Sequence, residues 1–269
     1  MTEAKAAERR RGRTILGRLA KAYPDWGPTL EFTTPLELLV ATILAAQARD
    51  ERINEVTRDL FRKYRTPRDY ARAPQAELER DLRSTGFFRQ KAKAIKAACE
   101  GILEEFGGVV PQDMEGFTRL RGVGRKTASI VLGAAFGVPA IAVDRHVARV
   151  AERLGLSRSK GPDGIEEDLR SLYPSRDWVK VTWTFVLHGR RTCMPRPACP
   201  RCPVLELCRY GLARTRPGAS LPGEDERRPT SEATTRRPRP SRAFRGRATG
   251  TRSGVYGRGG RSRGAGAGP

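Results

Sequence analysis

Phe117-Thr118-Arg119-Leu120-Arg121-Gly122-Val123-Gly124-Arg125-Lys126-Thr127-Ala128 is the stretch from which the rest of the chain can be read. Leu120 and Val123 are spaced to pack into the angle between two helices. Gly122 and Gly124 permit positive φ and keep side chains out of the turn. The backbone N–H groups left free then stand at a helix N-terminus, where a phosphate oxygen is stabilised. A glycine turn between two helices is common on its own. With Leu120 before it and Lys-Thr-Ala after it, the segment reads as a helix–hairpin–helix that holds a DNA backbone without reading sequence. Gly122, Gly124 and Arg125 are its candidate phosphate contacts.

The chain is helical on both sides of this hairpin. Thr34-Pro35-Leu36-Glu37 is a helix start, with Thr34 as N-cap, Pro35 at the first helical position and Glu37 closing a capping box. The run that follows, LELLVATILAAQA, is apolar on nearly every side and belongs at the centre of a bundle. Periodicity predicts further helices over 52–64, 66–72, 75–82, 89–106, 114–120, 126–136, 145–155, 162–173 and 178–187. A short helix over 14–23 precedes them, ended by Pro24-Asp25-Trp26-Gly27-Pro28, and the basic first dozen residues read as frayed. Strand signals are almost absent and the connections are short, which makes the fold all-α.

The formal charge of +22, from 52 Lys and Arg against 30 Asp and Glu, calls for a polyanionic partner, nucleic acid or an anionic membrane surface. No stretch approaches the ~20 apolar residues of a membrane span. The basic N-terminus has no apolar segment behind it, so the expectation is a soluble, intracellular protein with no membrane partner. Residues 213–269 hold 14 Arg and 4 acids, and the remaining chain is basic in its own right. Arg, Gly, Pro, Ser and Thr dominate beyond Tyr210, which predicts a disordered tail over 211–269. Within it FRGRATGTRSGVYGRGGRSRGAG resembles Arg-Gly-rich nucleic-acid-binding segments. A dispensable solvated tail is the equal alternative.

Two residues near the hairpin carry candidate chemistry. Lys126 opens the second helix. A lysine at the positive end of a helix dipole, partly desolvated, has its pKa pushed down, and the neutral amine is a nucleophile able to form a Schiff base with a sugar aldehyde. A further phosphate contact is the alternative role. Asp144, in Ala140-Ile141-Ala142-Val143-Asp144-Arg145-His146, stands where an apolar run meets a helix, the place of an N-cap. A carboxylate there can cap and still face a substrate.

Cys193-x5-Cys199-x2-Cys202-x5-Cys208 is a four-thiolate site by spacing, suited to an iron–sulfur cluster or a structural zinc. Four of the five cysteines within sixteen residues suggest metal ligands rather than disulfides. The fifth, Cys99, reads as a small core residue. His146 and His188, the only histidines, read as structural.

GVGRKTA followed at this distance by IAVDRHV resembles the endonuclease III family, whose motif is a helix–hairpin–helix, a Gly/Pro-rich turn and an aspartate. The family's catalytic lysine matches Lys126 and its aspartate matches Asp144. The resemblance implies a base-excision repair enzyme, a DNA glycosylase and abasic-site lyase acting on damaged, oxidised pyrimidines in double-stranded DNA, as a monomer at the nucleoid. It implies a 4Fe–4S cluster on Cys193, Cys199, Cys202 and Cys208, preceded by HGRRTC. The first gap here is five residues where the family's is six. The loop arginines, Arg191 among them, would face phosphates. Gln47, in LAAQARD, matches the glutamine that fills the gap left by a flipped nucleotide, and Asp50 belongs to the same motif. STGFFRQKA resembles the loop that wedges opposite the lesion, with Phe87 in place of a common leucine. Phe87 and Phe88 as core residues is the alternative.

By this resemblance the fold has two helical lobes with a DNA cleft between them. Residues 28–138 form a six-helix barrel carrying the hairpin. Residues 139–210 form the cluster lobe, joined by the segment 1–27. Two other functions compete: a monofunctional uracil or thymine mismatch glycosylase of the same fold, and a non-enzymatic DNA-binding scaffold.

Overall fold

The computed structural model describes residues 3–215, which form a single packed unit. Every regular element among them is helical. The α-helices are α1 (Glu3–Ala22), α2 (Pro35–Leu44), α3 (Asp50–Lys63), α4 (Pro67–Arg72), α5 (Gln75–Asp81) and α6 (Phe88–Phe106). They continue with α7 (Met114–Arg119), α8 (Arg125–Ala135), α9 (Arg145–Leu154), α10 (Pro162–Leu172), α11 (Trp178–Arg191) and α12 (Arg209–Thr215). None is long and apolar enough to cross a membrane.

Buried apolar side chains form two separate clusters. One draws only on residues 36–140 and is centred on α2, where Leu38, Leu39, Ala41 and Leu44 are fully enclosed. This helix starts as its sequence dictates: the Thr34 hydroxyl accepts from the Glu37 N–H, and the Glu37 carboxylate accepts from the Thr34 N–H. The same box recurs at Thr66 and Asp69 before α4. Cys99 lies in this core, its thiol pushed up to about 12 by burial. The second cluster joins Ile15, Leu16, Leu19 and Tyr23 of the N-terminal segment to residues 141–208, across the first.

The N-terminus departs from expectation. Helix α1 begins at Glu3, and its basic residues are working anchors. The Arg11 guanidinium, paired with Glu8, donates to the carbonyls of Leu154 (2.9 Å), Leu207 (2.7 Å) and Gly155 (3.1 Å). Gly12 lies against Tyr173, whose hydroxyl donates to the Gly12 carbonyl at 3.1 Å. These partners lie more than 140 residues away, so no local pattern announces them.

The C-terminal end departs too. The chain does not lose structure at Gly211: α12 runs to Thr215, because the Gly211 N–H donates to Cys208 Sγ (3.2 Å) and Thr215 Oγ1 donates back to the Gly211 carbonyl (2.9 Å). The disorder and the nucleic-acid affinity expected for the rest of the tail, residues 216–269, lie outside the described residues.

Two ion pairs tie the two cores together. Arg125, first residue of α8, forms a bidentate pair with Glu166 of α10 (2.8 and 2.9 Å), and Glu166 is 8% exposed. Arg190 of α11 donates to Asp50 at the start of α3 (2.8 Å), and the same Asp50 oxygen accepts from Thr29. With enclosed carboxylates and exposed guanidinium groups, such pairs set geometry more than they add net stability.

Candidate active site

The hairpin of residues 120–124 is built as its sequence requires. Leu120 and Val123 are buried, and the Val123 N–H closes the turn on the Leu120 carbonyl at 3.2 Å. Gly122 is left-handed, with φ 81°, and a Cβ there would stand 3.1 Å from Ala94 Cβ and 3.2 Å from its Cα. Gly122→Ala is therefore expected to cost about 1–2 kcal/mol from backbone strain alone, read by urea unfolding. An unchanged midpoint would mean that the turn tolerates another conformation. Gly124 differs from expectation: its φ is −90°, ordinary extended backbone, and it serves as the N-cap of α8 with no side chain to offer. The first N–H groups of α8 are thus left without a side-chain acceptor, and open space surrounds Gly124. Helices α2, α4, α7 and α9 carry side-chain caps, whereas α8, like α3, α5, α6, α10 and α11, has none.

Lys126 is the second residue of α8 and is exposed. Arg125 beside it is turned onto Glu166. Asp144 caps α9: its Oδ1 accepts from the N–H groups of His146 and Val147, both at 2.8 Å. Oδ2 has no protein partner among the described residues. His146 is half-buried between Arg145 and Arg149, and burial lowers its pKa.

Among the described residues only two that are not glycine have a left-handed backbone: Gln47, with φ 55°, and Phe87, with φ 48°. Such a conformation costs of order 1–2 kcal/mol and persists where the surroundings impose it. Both are exposed, Phe87 to 60%, while Phe88 packs against the core. Arg191 pairs with Asp25 at 2.9 and 2.5 Å on the exposed surface.

Cys193, Cys199, Cys202 and Cys208 line one small pocket with Leu154, Leu205 and Tyr210. Burial raises the thiols of Cys199, Cys202 (to about 11) and Cys208, and the neighbouring cysteines raise them further. Four sulfurs gathered on one apolar pocket suit a cationic centre that takes them as thiolates. No three His, Cys, Asp or Glu side chains among the described residues are arranged to hold a single metal ion. Helix α9 braces the loop: Arg149 donates to the Cys193 carbonyl (2.9 Å), and Arg153 to the carbonyls of Met194 (2.6 Å) and Pro195 (3.1 Å). His188 is fully buried, with Nδ1 2.9 Å from the Tyr23 hydroxyl and Nε2 3.9 Å from Cys202 Sγ. Burial lowers its pKa to about 4, which leaves the ring neutral at pH 7.

Sequence reasoning missed Glu166, Arg149 and Arg153. Each makes its contact with a segment about 40 residues away, and only the charge of the side chain hinted at a partner.

Fold and hairpin together define a helix–hairpin–helix repair protein: residues 40–175 match the model of the HhH-GPD superfamily of base excision DNA repair proteins. The chain is 46% identical over 205 residues to endonuclease III of Synechocystis sp., covering 76% of this chain and 94% of that one. With endonuclease III of Escherichia coli K12 it shares 38% over 197 residues, 73% of this chain and 93% of the other. The solved structure of a trapped endonuclease III–DNA covalent intermediate superposes with a TM-score of 0.74 at 43% identity, covering 77% of this chain and 99% of that one. A thermostable thymine-DNA glycosylase superposes with a TM-score of 0.70 at 25% identity, covering 78% and 99%. The chain belongs to the endonuclease III family, the DNA glycosylases and abasic-site lyases of base excision repair.

Proposed function

We propose that this protein excises damaged, oxidised pyrimidines from double-stranded DNA and cuts the resulting abasic strand through Lys126. The observation that carries the reading is the exposed Lys126 on the bare first turn of α8, while Asp144 spends one oxygen on its cap and keeps the other free.

The phosphate backbone would sit at the Gly122–Gly124 hairpin, on the N–H groups of α8 and the dipole behind them. Arg125 and Arg191 would add charge there, from within their pairs with Glu166 and Asp25. The target nucleotide leaves the stack, since C1′ is shielded inside the duplex. Gln47 fills the gap and offers an amide to the widowed base, and Phe87 stacks opposite. Their imposed left-handed backbones support these roles.

In the reaction, the neutral Lys126 amine attacks C1′ and the C1′–N bond breaks, the base leaving with its electron pair and gaining a proton. Asp144 stabilises the cationic sugar and assists proton transfers. The C1′–O4′ bond then opens, O4′ taking a proton as the lysine nitrogen gives one up, and the imine so formed on Lys126 acidifies the 2′ carbon. Loss of a 2′ proton then expels the 3′ phosphate, and water frees the lysine with an unsaturated aldehyde as product.

Cys193, Cys199, Cys202 and Cys208 would hold a 4Fe–4S cluster. Fully coordinated, it would supply folding energy to the loop and no open position for bond chemistry. The two lobes, 28–138 and 139–210 with 1–27, would bound the DNA cleft, and the protein would work as a monomer in the cytoplasm at the nucleoid.

The likeness to a thymine-DNA glycosylase supports a second reading, excision of mismatched thymine or uracil. Base release from duplexes carrying thymine glycol, or uracil or thymine opposite guanine, separates the two. Release of the oxidised base with strand cleavage is expected; release confined to the mismatches, with the strand intact, favours the second.

A further inference from the structure

The loop before α6 rests on a side chain whose chemistry is at odds with its surroundings. Lys91 is 4% exposed and is the one buried lysine among the described residues. It has no carboxylate partner there, and burial alone lowers its pKa. An ammonium has three donors, and Nζ makes one hydrogen bond, 2.7 Å to the Thr85 carbonyl. Burying an amine without a counter-charge is costly, and a methionine of similar length would fill the space without that cost.

The bond lands at a decisive point. Thr85 precedes two successive positive-φ residues, Gly86 (φ 68°) and Phe87 (φ 48°). The Thr85 hydroxyl is tied to the Leu82 carbonyl at 2.8 Å, and the Lys91 N–H returns to the Phe87 carbonyl at 3.1 Å. Lys91 therefore grips the loop on both sides of the turn, through its amine before it and its backbone after it. An L-residue as bulky as Phe87 does not stay left-handed unaided. Released, the turn can relax and lay Phe87 against the apolar surface that Phe88 already meets.

We infer that Lys91 is a positioning residue that holds Phe87 outward, ready to enter the duplex opposite a lesion. The inference rests on the proposed role of Phe87. It assigns to Lys91 no contact with DNA.

Full-length, metal-loaded Lys91→Met tests it against Phe87→Ala and the double variant. The readouts are the thermal midpoint, affinity for a duplex carrying a tetrahydrofuran abasic analogue against its undamaged counterpart, and fluorescence of 2-aminopurine opposite the analogue. Lys91→Met is expected to melt at or above the wild-type temperature. It should bind undamaged duplex as wild type does and lose on the order of tenfold in preference for the abasic analogue, with a muted 2-aminopurine response. In the Phe87→Ala background the same change should add nothing, because it acts through Phe87. Lys91→Gln, which keeps a donor without the charge, should recover part of the preference. Additive losses, an equal loss on undamaged DNA, or an unfolded Lys91→Met would each overturn the inference, the last by showing that the amine holds the core. If wild type itself shows no preference for the abasic duplex, the DNA role of this face falls and that of Lys91 with it. If wild type shows the preference and Lys91→Met keeps it whole, the Lys91 role alone falls.

Discussion

Lys126→Ala should bind an abasic duplex within a few-fold of wild type and leave the strand uncut, with cleavage down by roughly 10³-fold or more. The split between binding and chemistry follows from position. Lys126 is exposed on the first turn of α8, so its side chain supports nothing in the fold. The hairpin, the bare N-terminus of α8 and the Arg125–Glu166 pair all survive the substitution. What is lost is one charge near the phosphates, a small change in affinity, and the only proposed nucleophile. Gel mobility on an uncleavable abasic analogue gives the binding, and denaturing gels on a true abasic site give the cleavage. A parallel loss of both would return Lys126 to an ordinary phosphate contact.

With the proposed cluster on Cys193, Cys199, Cys202 and Cys208, Cys202→Ser is expected to lose it and unfold the region between Cys193 and Cys208, with a stability loss of several kcal/mol, since binding energy at a structural metal site is folding energy. The loop has little else to hold it. Its backbone is mostly turn, braced by Arg149 and Arg153 from one side and by α12 from the other. Arg11 of α1 bonds the Leu207 carbonyl, so loosening should spread to the N-terminal helix. Metal analysis and thermal unfolding of the purified variant check this. Iron and inorganic sulfide in wild type, both lost in the variant, are expected. Zinc at one per chain in wild type would contradict the cluster.

Much of this was legible locally. The capping box at Thr34, the hairpin and the helical periodicities are signals carried within a few residues, and the all-α fold follows from them. The cysteine spacing is legible for the same reason, and the cap at Asp144 follows from its place where an apolar run meets α9; the roles of Lys126 and Asp144 rest on the family resemblance. What escaped was non-local. Arg11 and Gly12 look like a frayed basic end until residues 154, 155, 173 and 207 come against them. Arg125 reads as a free phosphate ligand until Glu166 arrives from 41 residues on. Lys91 sits among the polar residues of an amphipathic helix, and nothing in its neighbourhood marks it as buried. Gly122 and Gly124 both permit a positive φ by composition, and only Gly122 takes one. The left-handed backbones of Gln47 and Phe87 are likewise invisible in sequence, since neither residue type favours that region.

The most direct test of the account is a borohydride trap on a duplex with one abasic site, using metal-loaded wild type beside Lys126→Ala. A covalent protein–DNA adduct with wild type and none with the variant is the predicted result, because reduction captures only an imine formed by the lysine amine. No adduct from folded wild type, or an adduct undiminished in Lys126→Ala, would contradict the assignment of this lysine as the nucleophile.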